Sequence, residues 1–441
     1  MTGNQAGARR TLRPTTAALM AIATVAFAVS PADAGSELSG ELRVWTHQNQ
    51  SFNDSLQALA DEYMDANPDV DIEFETFDYD TYIQTLQTAL PAGTEADILQ
   101  MFGTWTCGYS SNLATVPEEV ATIDTVTSLF FEAPLDGYTC DDQLYGFPME
   151  FNIEYGAALV NTRIAEEAGV DVDAGFESWE AFTEAAVAMA EGEPGSLIRS
   201  GFHFTTNDGM SHMFLAGIVQ QGGTYVNEDR SAFTFDTPEA RATLEVMKGI
   251  IDAGANDPVT FGDTTNWVGD CFFVEDCAMG LVGPWVIGEY RTDFPDIVEI
   301  ARYVPLPLFE GATEPRFVAD SGWGMSVSND SEHQELAWDF IRFITLDEAN
   351  ALRWNTDTGT IPALRANAEG DTATALVEQY PYFGPFIEIL PYGQYVGDIP
   401  DRDLVYYEVI VPHVLAVLDG SESIEDAVVA MEREATETLG G

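Results

Sequence analysis

From residue 41 onward the chain alternates between two hydrophobic periods, and that alternation leaves few folds open. Residues 41–45 read as a strand ending in Val44 and Trp45. Phe52, Leu56, Leu59, Ala60, Tyr63 and Met64 then share one helical face until Asn67-Pro68 stops it. Val70, Ile72 and Phe74 alternate as a strand, Tyr82, Ile83, Leu86 and Leu90 form the next helical stripe, and residues 97–101 return to a short strand. Strand, helix, strand, helix, strand implies an α/β domain with a largely parallel sheet. At 441 residues the chain has room for two such bodies.

The second half keeps the alternation. Residues 144–160 form a long, aromatic-rich extended stretch, broken by Glu150, Asn152 and Glu154, that could pass from one domain to the next. Ser178 and Thr237-Pro238-Glu239 are helix starts, and Ser423 to Asp426 reads as a capping box. Residues 317–327, with Gly322-Trp323-Gly324 at their centre, and residues 358–362 are two further candidate crossings. Residues 404–418 read as a helix that Pro412 should kink.

Residues 278–290 read as a strand, a break at Gly283-Pro284 and a helix start that presents Trp285. In α/β proteins ligands bind where strands end, so Trp285 is either a core plug or a stacking platform. Trp323, between two glycines, and Trp105, in a polar loop, carry the same two readings. Trp45 fits a core position, as do Trp179 and Trp338 on helical stripes. His47 follows a strand end and reads equally as a site residue or a surface histidine; His203, His212, His333 and His413 form no metal spacing.

Charge narrows the partners. The formal net charge is −57, with 17 basic against 74 acidic residues and Lys248 the sole lysine. Residues 1–34 read as a cleaved secretory signal: Arg9, Arg10 and Arg13, an apolar run over 17–29, and Ala32-Asp33-Ala34 as the cleavage pattern. An uncleaved anchor is the rival reading of that run. Losing the leader's three arginines and one aspartate leaves 14 basic and 73 acidic residues, a formal charge of −59. Such a surface repels nucleic acid and anionic membrane. Spread through periodic, aromatic-rich sequence, it suggests a folded protein adapted to high salt, whose stability should rise with added salt. Elsewhere no uninterrupted apolar run is long enough to span a bilayer, and no cysteine follows the leader closely.

The cysteines are Cys107, Cys140, Cys271 and Cys277. An exported chain with an even count suggests disulfides, with three pairings open. Cys107–Cys140 and Cys271–Cys277 are the expected ones, the first contributing roughly 3 kcal/mol by closing the larger loop. Zinc would need closer spacing with nearby histidine. Glu150 and Glu154 could be the paired carboxylates of a secreted glycosidase, but acidic pairs arise by chance in so acidic a chain. No nucleophile elbow, zinc-protease helix or phosphate loop is present.

Taken in order, these stretches resemble the extracellular solute-binding proteins of ABC importers, in the carbohydrate-binding group that includes maltose-binding protein. The resemblance runs through Val44-Trp45, the helix end at residues 62–68, Ala96-Asp97-Ile98, Tyr145-Gly146-Phe147-Pro148 with Val160-Asn161, residues 278–285, Pro305-Leu306-Pro307, the Gly322 region and Gly359-Thr360-Ile361-Pro362. It implies an α/β, two-lobed periplasmic-binding-protein fold of type II. Lobe 1 would be residues 35–148 plus 322–360 and lobe 2 residues 149–321 plus 361–441. It implies sugar contacts from His47, Gln48, Asn49, Thr104, Trp105, Glu150, Asn152, Trp285, Gly322 and Trp323. The expected function is capture of a neutral sugar or oligosaccharide in the periplasm or outside the cell, for delivery to transmembrane permease subunits. The chain would act as a monomer without catalysis, cofactor, metal or nucleic acid. A phosphorylated polyol or other anionic solute is the alternative, and would require an arginine clamp.

Overall fold

The computed structural model describes residues 38–204, 208–257, 268–397, 399 and 402–439, so the expected signal over 1–34 lies outside the described residues. Two sheets, each covered by helices, hold separate hydrophobic cores. In the first, strands run in the order Val70–Phe77, Gly40–His47, Ile98–Phe102, Trp323–Val327, Phe147–Pro148. The first three are mutually parallel, as strand–helix–strand connections require. Trp323–Val327 runs antiparallel to both of its neighbours, because that strand returns from the other lobe.

The second sheet has the order His203–Phe204, Met279–Leu281, Ala157–Asn161, Ala301–Pro305. Only its first pair is parallel, so it departs from the largely parallel sheet expected of the alternation. Ala157–Asn161 leads directly from a crossing between the lobes and is inserted antiparallel to both of its neighbours.

The three candidate crossings lie side by side. Met149 N donates to Trp323 O (2.9 Å), Asn152 N to Ser321 O (3.0 Å) and Phe151 N to Ile361 O (2.8 Å). Gly322 is needed there: its φ is +123°, and a Cβ would lie 2.9 Å from both Asn152 N and Glu150 Cγ. Core membership differs from the expected lobe limits near these strands. Met149, Ala363 and Leu364 pack into the first core, whereas Phe131 and Ala133 pack into the second.

Local starts follow the sequence. Ser178 Oγ caps helix Trp179–Met189, and Thr237 Oγ1 caps helix Pro238–Asp252. Pro412 behaves differently from expectation. Leu404–Ile410 winds as a π-helix, and Pro412 stands in the first turn of the following helix Val411–Asp419. The wider turn makes room where a ring would otherwise strike the preceding carbonyls. Disulfides join Cys107 to Cys140 and Cys271 to Cys277. No helix among the described residues is long and apolar enough to cross a membrane.

Candidate ligand-binding site

A cavity of about 280 Å³ opens between the lobes, beside the crossings. The first lobe contributes His47, Gln48 and Asn49, at the end of strand Gly40–His47, together with Phe52, Tyr79, Phe102 and Trp323. The crossing segment contributes Glu150, Asn152 and Glu154, and the second lobe Trp285, Glu289 and Tyr407.

Each of the two tryptophans is tied to a glutamate. Trp323 donates its backbone N–H to Glu150 Oε1 (3.1 Å). Trp285 donates its indole N–H to Glu154 Oε1 (3.2 Å), whose other oxygen accepts from Gly283 N (3.4 Å). Trp285 opens helix Trp285–Tyr290, just after strand Met279–Leu281 and Pro284. It packs against both cores and remains half-buried.

Burial sets the charge states. Glu150 is 2% exposed, and desolvation pushes its carboxyl up to about 8, against the opposing Trp323 N–H and with the Glu154 charge adding to the rise. Burial, then the neighbouring Asp270, raises Glu289 to about 7. His47 goes the other way: burial lowers it to about 4, so the ring is neutral at physiological pH. The described lining holds three glutamates and no lysine or arginine.

Of the residues expected from sequence, the structure brings His47, Gln48, Asn49, Glu150, Asn152, Trp285 and Trp323 to this cavity. Thr104 and Trp105 lie elsewhere, in a separate cavity of about 580 Å³ with Ile83 and Arg402. Trp105 meets Trp323 edge-on (5.4 Å, 89°) and backs the wall without facing the cavity. Gly322 does not line the cavity either. Its close approach to the Glu150–Asn152 backbone is a crossing contact, and its carbonyl accepts from Gly103 N and Tyr138 Oη. Sequence reasoning missed Phe52, Tyr79, Phe102, Glu154, Glu289 and Tyr407. Glu289 carried a usable signal, four residues after Trp285 on the same helical face.

A model of the bacterial extracellular solute-binding protein family matches residues 49–351. The chain belongs to that family. Among curated relatives of this binding protein, the arabinooligosaccharide-binding protein of Halalkalibacterium halodurans is 26% identical over 73% of the chain and 71% of its own length. The maltotriose-binding protein of Pyrococcus abyssi is 24% identical over 74% and 67% respectively. Among solved structures, the cyclic alpha-maltosyl-1,6-maltose binding protein of Arthrobacter globiformis superposes with a TM-score of 0.74 at 21% identity, covering 91% of this chain and 100% of its own. The binding protein therefore has the two-lobed periplasmic-binding-protein fold. Among its described residues no group of three His, Cys, Asp or Glu is placed to hold a metal ion.

Proposed function

We propose that this binding protein captures a neutral sugar or oligosaccharide outside the cytoplasm and delivers it to the permease of an ABC importer. The observation that carries this reading is the pairing of Trp285 with Glu154 and of Trp323 with Glu150 around one interlobe cavity. Sugar rings present an apolar face suited to an indole and hydroxyls suited to carboxyls and amides. Relatives that bind arabinooligosaccharide and maltotriose support the same class.

The mechanism is differential binding without covalent change. Ligand that touches Trp285 on one lobe and Trp323 on the other favours the closed arrangement and shifts the population toward it. The described lining offers no lysine or arginine to clamp a phosphate, which disfavours a phosphorylated polyol or other anion. The same reading includes export with removal of residues 1–34, action as a monomer, and the ligand roles of His47, Gln48, Asn49 and Asn152. A thermal-shift screen of a sugar panel in molar salt tests it. A bound sugar raises the melting temperature by mass action. The absence of a shift with every carbohydrate, or a shift with sugar phosphates alone, counts against it.

A further inference from the structure

We propose that Glu289 is the length gate of this cleft. Its side chain closes the Trp285–Trp323 cavity on one side, and the space behind it is where the next unit of a longer saccharide would lie. The proposal rests on the sugar reading above and assigns a length limit to the same site.

Glu289 lines two cavities at once: the ligand cavity of about 280 Å³ and a neighbouring one of about 530 Å³. The neighbouring cavity is walled by Gln50 and Asp54 at the start of helix Gln50–Ala66, and by Arg291 and Asp293 across the cleft. It offers both donors and acceptors, as hydroxyl-rich ligands need. The first cavity alone falls near the low end of ordinary ligand pockets, roughly 300–1,000 Å³.

The helix that carries Glu289 is held firmly. At Gly288 a Cβ would fall 2.0 Å from the Thr358 carbonyl oxygen, so the helix backs directly onto the end of helix Glu348–Thr358. Directly after Glu289, Tyr290 stacks on Phe273, with ring centroids 4.3 Å apart and planes 4° apart. Opening the passage therefore falls to the Glu289 side chain. That side chain is poorly tethered: its Oε2 is buried and has no hydrogen-bond partner among the described residues. Swinging it breaks no bond at that oxygen, and in place it can meet a ligand hydroxyl.

The test compares affinities of the full-length mature protein, in molar KCl, for malto- and arabino-oligosaccharides of two to five units, by titration calorimetry. Glu289→Ala should raise the preference for the longer chain over the disaccharide by about tenfold, the equivalent of ~1.4 kcal/mol. Glu289→Gln, of equal size, should keep the wild-type length preference whatever its overall affinity. Glu289→Ser serves in place of the alanine variant if that one folds poorly. An unchanged length preference in the shortened variants, or the same change in Glu289→Gln, overturns the gate while leaving the sugar reading intact. Failure of the wild-type protein to bind any saccharide overturns the sugar reading and the gate with it.

Discussion

The imidazole of His47 lies flat on the indole of Trp323, with ring centroids 4.1 Å and planes 6° apart. Gln100 fixes that imidazole: its Oε1 accepts from both the backbone N–H (3.1 Å) and Nδ1 (2.9 Å) of His47. A carbonyl oxygen cannot donate, so Nδ1 carries the proton and Nε2 is left as an acceptor. Trp323 is braced on its other sides by Phe102 and Trp105, at 5.0 and 5.4 Å. The first-lobe wall of the cavity is thus set before ligand arrives.

A neutral, buried His47 has a consequence for acid stability. Its folded value is about 4 against an ordinary 6.5. Between those values the unfolded chain takes up a proton that the folded chain refuses. Stability from this residue is present above 6.5 and is lost as the pH falls through about 4, by up to about 3 kcal/mol. Denaturant midpoints measured from pH 7 to pH 4 should fall less steeply in His47→Gln than in the wild-type protein. Parallel curves would show that the ring is not desolvated as described.

Glu150 has the opposite sign. The unfolded carboxyl ionises near 4.5, while the folded one keeps its proton up to about 8. Between these values a rise in pH favours the unfolded chain, so stability is lost as the pH climbs. Glu150→Gln removes the penalty and keeps a carbonyl oxygen for the Trp323 N–H. We expect this variant to be more stable than wild type at pH 8, by a few kcal/mol at most, and to match it at pH 4. Chemical denaturation at the two pH values measures the difference.

Those two residues also show how far the sequence could be read. The strand ending at His47 and the crossing that carries Glu150 were legible because hydrophobic period and turn residues are local properties. What sets Thr104 and Trp105 apart from His47 is not local: all three lie at strand ends, but Trp105 packs edge-on behind Trp323 and lines a separate cavity. Phe52 reads as core from its helical face and is indeed only 3% exposed; the cavity it also lines exists only once two lobes face each other. In sequence Glu154 shows as a polar break in the extended stretch; its actual partner, the Trp285 indole, lies 131 residues away. Arg402, absent from every local motif, was invisible for the same reason.

Arg402 and Asp320 form a buried ion pair at the crossing, with Asp320 0% and Arg402 3% exposed. His212 Nε2 lies 2.9 Å from the same carboxylate, and the guanidinium sits over the Tyr406 ring at 3.9 Å. Burial alone would raise Asp320; Arg402 and then His212 outweigh it and hold the carboxyl at about 2. Its contribution is therefore present above the ordinary 3.8 and lost only as the pH falls through about 2. Arg402→Met should cost about 3–5 kcal/mol by stranding a buried carboxylate. Adding Asp320→Asn should recover a large part of that loss in urea denaturation, and a double variant no better than the single one would refute the pairing.

Trp285 and Trp338 separate packing from recognition. Trp338 is 1% exposed on helix Gln334–Thr345, so Trp338→Ala should cost about 3–5 kcal/mol of stability. It should leave the affinity of the folded fraction for sugar unchanged. Trp285 is half-buried at the start of its helix, with its N–H on Glu154 and its ring at the cavity. Trp285→Ala should weaken sugar binding on the order of 10- to 100-fold while lowering stability far less than the Trp338 change. Trp285→Phe, which keeps a ring but gives up the bond to Glu154, should fall between wild type and alanine. Calorimetric titration and denaturation of the three variants measure both quantities. A Trp285→Ala protein that binds its sugar as tightly as wild type would return the residue to the core.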